Sequence, residues 1–437
     1  MSQHISAAGV QFTKLIQLRQ AAYARLGRAR DALFELADAA MLTPRAGSLA
    51  ELSLSPVFRR RWPSVYEALQ DGRPEREALF RLYVGHLAAT ARPVLAGDHT
   101  AWPRLAARTL RDRTIEHQPT RVYGNRPITI GQGYSTLAWV PESTGSWALP
   151  LLHERIRSGE TPLGKGSDQL RRVCAFLPGR PLTLWDAEYG CAPFVLATAD
   201  IPADKVLRLR PNLCLWSLPP PYAGRGRPRV HGVKFKLKGP DTWGQAAATW
   251  EMEDAIAGRV RVSLWRDLHF RKASAHPMNL WCIQRLDAQG LPQDRNPLWL
   301  AWIGQEPPPL PESWQLYLRR FAVDHWYRFA KQRLHWTLPQ VSTPEQSERW
   351  SDLMPLLTWQ LWLARDIVAD KPLPWQKPQA HLTPGRVCQS LGSILAVIGT
   401  PAQAPKPRGK SPGWPKGRPR QHQTHYPVVN KRRKKAA

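Results

Sequence analysis

Three acidic residues stand where chemistry could be done. Asp98 closes the short apolar run PVLAGD and Asp186 closes PLTLWD. Asp324 lies inside WQLYLRRFAVDHWYRFAKQRL, whose apolar spacing predicts a helix over 313–334 with Ser313 as its N-cap. At about 100° per residue, setting Tyr317 at zero brings Arg320, Asp324 and Lys331 to about 300°, 340° and 320°. All four therefore share one face. A guanidinium offers a two-pronged fork to phosphate and an ammonium a point charge. Taken alone, the same face is also an ordinary solvated ladder of Arg320, Asp324 and Arg328. An Asp at a strand end is, by itself, a turn or cap residue.

The elements that must position these residues alternate in type. The first 90 residues carry helical patterning, in LIQLRQAAYARLGRARDALFELADAAML and again in RRWPSVYEALQDGRPEREALFRLYVGHL. From Arg92 the texture changes to strands, with PVLAGD followed by RVYGNRPITIGQG and YSTLAWVPES. SDQLRRVCAFL reads as a helix, PLTLWD as a strand, APFVLATADIP as a helix and KVLRLRPN as a strand. Strands alternating with helices, with acids at strand ends, predict an α/β core whose functional residues gather at the carboxyl ends of strands. LPPPYAGRGRPRVHG then opens a β-rich segment over 215–295. Its Arg225, Arg227 and Arg229, with His231, form either a phosphate-contacting hook or a solvated loop. Further helices follow, and a Pro/Gly/Lys-rich tail begins at 401.

The charge narrows the partners. The 437 residues hold 62 Lys and Arg against 34 Asp and Glu, a formal +28. The tail supplies 11 of those bases and no acid, so the first 400 residues remain at +17. A field of that size attracts a polyanion such as a nucleic-acid backbone. Five scattered cysteines without a CxxC pair exclude a disulfide scaffold and a zinc ribbon. No apolar run approaches the roughly 20 residues of a membrane span, and the N-terminus lacks the apolar stretch of a secretory signal. The expectation is a cytoplasmic protein.

Tyr317, Arg320, Asp324 and Lys331 reproduce the spacing of the Tyr-Arg-Glu-Lys signature of DDE insertion-sequence transposases, and other segments agree in order. LAGDHTAWPR resembles the family's first catalytic strand, LTLWDAEYG the second, and GRGRPRVHG the opening of its β-rich insertion. The tail segments GTPAQAPKPRGKSPGWPKG and PVVNKRRKK resemble the C-termini of related elements. The resemblance implies an RNase H-like mixed sheet with flanking helices, a β-rich insertion, a helical N-terminal domain and a basic disordered tail. The divisions expected are a DNA-binding domain over 1–90, the core over 91–214 and 296–340, the insertion over 215–295, a helical segment over 341–400 and the tail over 401–437.

It also implies Asp98, Asp186 and Asp324 as ligands of two Mg²⁺ ions, replaceable by Mn²⁺. In the family the first Asp bridges both metals, and the other two acids serve one each. Tyr317, Arg320 and Lys331 would face DNA phosphates, as would Arg225, Arg227 and Arg229. The expected protein is a homodimer in a bacterial, nucleoid-associated setting, acting on terminal inverted repeats and target DNA. One departure stands out. Asp324 occupies the Glu position and is shorter by about 1.5 Å. The chain is then either an active three-aspartate variant or an impaired, DNA-binding descendant.

Overall fold

The computed structural model describes residues 7–87, 92–117, 127–222, 224–407, 417, 419 and 423–431. The chain opens with helices α1 (Ala7–Arg25), α2 (Arg30–Leu42), α3 (Pro63–Asp71) and α4 (Arg76–Val84). Then come β1 (Val94–Pro103), β2 (Thr114–His117), β3 (Ile128–Trp139), β4 (Leu149–Ile156), α5 (Pro162–Cys174), β5 (Leu182–Trp185), α6 (Ala192–Ala197) and β6 (Asp204–Leu209). The remainder is β7 (Cys214–Trp216), β8 (Lys234–Lys236), β9 (Ala248–Asp254), β10 (Gly258–Leu268), β11 (Met278–Arg285), β12 (Leu298–Ile303), α7 (Leu310–Leu318), α8 (Phe321–Gln332), α9 (Pro344–Ala364) and α10 (Pro384–Ile398).

Ten strands form one mixed sheet. Its centre runs β4-β3-β1-β5-β6, with β1, β3 and β4 antiparallel and β1, β5 and β6 parallel. That arrangement, flanked by helices, is the RNase H-like order. β12 joins β6 antiparallel, and β11, β10 and β9 continue the meander outward. The β-rich segment after β6 thus extends the main sheet; β7 and β8 form a small separate pair. The expected strand beginning at Arg121 falls partly outside the described residues, and its described part runs unbroken through Tyr134 as β3. Eight consecutive residues of β3 are buried, as in a strand covered on both faces.

The covering layer explains the coverage. α5 packs on β3 and β4, α8 on β1, and α9 on β4. α9 begins with a capping box, in which Thr343 accepts from the Gln346 backbone and Gln346 reaches back, and Pro344 sits at the first helical position. It is buried along most of its circumference, because α1, α3 and α10 pack on it as well. Arg19 of α1 clasps the Asp38 carboxylate at 2.8 Å, both fully buried, and also reaches Gln360 of α9.

The tail differs from expectation in two places. Near its start, Arg59 donates to the Ala402 carbonyl at 2.7 Å and the Gln403 amide donates to Asp31 at 2.8 Å. Further on, the amides of Tyr426 and Val429 donate to the carbonyls of Arg108 and Arg113, and Val429 bridges Thr114. The reason is the open edge of β2, whose backbone groups would otherwise lack partners. Arg408, Lys410, Lys416, Arg418, Arg420 and the basic run 432–435 lie outside the described residues. Among the described residues no helix is long and apolar enough to cross a membrane.

Candidate active site

Two adjacent parallel strands bring the first pair of acids together. Gly97 of β1 pairs with Trp185 of β5, so the next residues, Asp98 and Asp186, emerge side by side. Contrary to the sequence reading, Asp98 does not end its strand. β5 stops at Trp185, whereas β1 runs on to Pro103 against β3 alone, with Asp98 opposite Thr136. Gly97 is required here. A Cβ on it would meet the Trp185 ring at 2.0 Å, so its absence lets the indole lie over both strands. Trp185 is in turn wedged by Tyr189 and Phe194, with ring centroids 4.8 and 4.7 Å away. Asp186 starts the turn after β5, its Oδ1 accepting from the Glu188 amide at 2.8 Å.

The third acid arrives from a helix that is broken. The single helix expected over 313–334 is two, because Arg319, Arg320, Ala322 and Val323 all donate to carbonyls three residues back, tightening the chain between α7 and α8. Ser313 is consequently inside α7 and donates to the Leu310 carbonyl, with Pro309 as the cap. The break brings Arg320 inward. Its Nη1 donates to Asp98 Oδ2 at 3.1 Å and its Nη2 to Asp324 Oδ2 at 2.9 Å. One guanidinium therefore ties β1 to α8.

The side chains of this helix expected to face DNA are buried or half-buried in this structure. Tyr317 is 1% exposed and packs beside Arg320; burial pushes its hydroxyl up to about 12. Arg320 is also buried, its fork spent on carboxylates. Lys331 is half-buried and donates to Thr100 at 2.7 Å; burial lowers its pKa to about 8, with Asp98 pulling the other way. Arg225, Arg227 and Arg229 sit on an exposed loop, and the neighbouring His231 contacts the buried His269 at 2.9 Å.

Residues passed over in the sequence complete the setting. The Tyr327 hydroxyl donates to the Asp98 carbonyl at 2.9 Å and lies 2.8 Å from Thr136 Oγ1, which in turn meets His153 Nδ1 at 2.8 Å. Tyr327 had a signal, since it falls at about 280° on the same helical wheel as Arg320. Thr136 and His153 had none, because β3 and β4 meet them only through sheet pairing. On the other side, Tyr189 Oη approaches His99 at 3.4 Å.

Burial pushes the Asp98 carboxyl well above the ordinary carboxylate range; Arg320 opposes the shift, while Asp186 and Asp324 add to it. Burial also works against the Arg320 charge, yet Tyr317 and the three carboxylates outweigh it and hold its pKa above normal. The donor set fits a hard divalent cation. It consists of carboxylates alone, with a positive group already standing between two of them. Among the described residues, no three His, Cys, Asp or Glu side chains converge closely enough to ligate one ion.

The sequence profile of the DDE superfamily endonucleases matches residues 22–271, more than half of the chain. The chain belongs to this family. The match spans Asp98 and Asp186 and ends before α8. No curated protein matches the chain. Membership makes it a nuclease of the DDE transposase type, with DNA as substrate, in a superfamily that generally uses divalent metals.

Proposed function

We propose that this DDE endonuclease is the transposase of a bacterial insertion sequence, of the branch with the Tyr-Arg-Glu-Lys signature, cutting and joining DNA at transposon ends. The observation that carries the reading is the meeting of Asp98 and Asp186 on neighbouring parallel strands, with Asp324 linked to Asp98 through Arg320. Asp98, Asp186 and Asp324 would hold two Mg²⁺ or Mn²⁺ ions, which supply activation of the attacking hydroxyl and stabilisation of the leaving oxygen. The chain itself binds and orients. The Tyr327 hydroxyl and the Gly97–Trp185 packing fix the Asp98 backbone, the Asp186 turn fixes the second carboxylate, and Lys331 stands as a cation beside Thr100. The residues 1–90 recognise transposon ends, the Arg225–Arg229 loop and the tail add phosphate contacts, and a homodimer pairs the two ends.

One observation favours a second reading. The shorter Asp324 is spent on Arg320, as it would be in an impaired descendant that binds DNA without cutting it. The test is cleavage of a supercoiled plasmid carrying the DNA that flanks the coding sequence, with Mg²⁺ or Mn²⁺. Native protein is expected to nick it, and Asp186→Ala to lose nicking by at least about a hundredfold. Cutting by Asp324→Glu alone would establish the second reading.

A further inference from the structure

We propose that Arg320 is a built-in counter-ion that keeps the cation site closed in the free protein and is drawn off by a DNA phosphate, so that DNA and the divalent cation bind cooperatively. The inference rests on the reading of Asp98, Asp186 and Asp324 as cation ligands.

Each carboxylate oxygen of Asp98 already accepts one hydrogen bond. Oδ1 accepts from the His99 amide at 2.7 Å and Oδ2 from Arg320 at 3.1 Å. The same guanidinium takes Asp324 Oδ2 at 2.9 Å. A divalent ion between Asp98 and Asp324 would stand against the positive guanidinium that now bridges them, so Arg320 opposes its entry. Withdrawal of Arg320 removes that opposition and frees both carboxylates for an ion joining Asp98 to Asp324.

Its present seat is incomplete as well as occupied. Arg320 Nε is buried without a hydrogen-bond partner, and the Tyr317 hydroxyl buried beside it makes no hydrogen bond of good geometry. A phosphate, with several acceptor oxygens, satisfies a guanidinium fork better than single contacts to two separate carboxylates. Of the two partners of Arg320, Asp324 is the one open to solvent, its side chain 44% exposed against 10% for Asp98. The buried guanidinium thus lies behind a carboxylate that solvent reaches. A backbone phosphate approaching α8 there would take Arg320 and uncover both carboxylates.

The consequence is reciprocal. Whatever factor DNA adds to cation affinity, the cation adds to DNA affinity. Free protein would hold little metal, which restrains cutting away from bound ends.

The test measures Mn²⁺ binding by the electron-paramagnetic-resonance signal of the free ion, on the full chain, with and without a short duplex. Native protein is expected to bind Mn²⁺ at least about tenfold more tightly when DNA is present. Arg320→Ala is expected to bind it at least about tenfold more tightly than native protein without DNA, and to gain little from the duplex. Arg320→Lys, which keeps a charge but cannot span both carboxylates, should fall between, and a thermal melt checks that each variant folds. If Arg320→Ala does not fold, the native protein with and without DNA, together with Arg320→Lys, still decides. Equal Mn²⁺ affinity in native protein with and without DNA would overturn the coupling while leaving the cation site standing. Mn²⁺ binding that Asp98→Asn fails to abolish, or none in any state, would remove the cation-site reading itself.

Discussion

Arg320 divides its fork between acids on two different elements, and the residues around it show why single side chains matter so much at this site. Asp98 lies almost out of water, so each hydrogen bond to it, from Arg320 and the His99 amide, offsets part of the cost of burying its charge. Beneath it, His153 is fully enclosed by the rings of Tyr134, Trp326 and Trp336 and is bonded through Nδ1 to Thr136. Burial drives its pKa down to about 3. The imidazole is thus neutral in the folded state over a range where the unfolded chain takes up a proton. Its stabilising contribution is complete above about pH 6.5 and is lost as pH falls toward 3, at up to about 1.4 kcal/mol per unit. Chemical denaturation from pH 7 to 4 should therefore show a shallower loss in His153→Phe than in native protein. Parallel slopes would mean that the ring is not the acid-sensitive group.

At the scale of elements, the site depends on where two strands and one helix stop. β5 ends one residue before Asp186 and β1 does not end at Asp98, so the carboxylates meet at the edge of a parallel pair that an antiparallel partner continues to support. The packing that holds this register passes through Gly97. In Gly97→Ala the new methyl would collide with the Trp185 indole, and the rings of Tyr189 and Phe194 leave it nowhere to retreat. Over-packing of this kind costs about 1–3 kcal/mol. A drop of that size in urea denaturation, with Gly190 and other turn glycines intact, is the expected result. A change below about 0.5 kcal/mol would show the indole to be freer than its neighbours suggest.

Across the whole molecule, the N-terminal and C-terminal helices enclose α9 together, although they are about 300 residues apart in the chain. Two buried acids on α2 hold that assembly. Glu35 is paired by Arg59 and Arg60 at 2.6 and 2.5 Å, and Asp38 by Arg19 at 2.8 Å. Burial raises the Asp38 pKa even against Arg19, so the pair is tolerated because both partners are present. Arg19→Met should cost about 3–5 kcal/mol by stranding Asp38, and Arg19→Met with Asp38→Leu should recover most of that loss. Melting of the single and double variants checks this. A double variant no more stable than the single would make Arg19 a packing residue. The +28 charge belongs to this scale too, since helices, loop and tail all contribute to it.

Much of this was legible in the chain. The 3.6-residue pattern of α1, α2 and α9, the short apolar runs of β1, β5 and β6, and the order of Asp98, Asp186 and Asp324 are local properties, and local patterns predict which face of an element is apolar. Periodicity does not say what covers that face. Tyr317 lay on the right side of an ideal wheel, but the wheel assumed one unbroken helix. Tertiary packing tightened the backbone at Arg319 and Arg320, turned Tyr317 into the core and sent Arg320 to Asp98. Likewise, nothing near Asp98 in sequence announces Thr136, His153 or Tyr327, because they reach it through sheet register and helix docking. The chain by itself determined most of its elements, its charge and the order of its three acids. Only the tertiary structure decided which side chains occupy the space between those acids, since that depends on groups more than 200 residues apart being buried together.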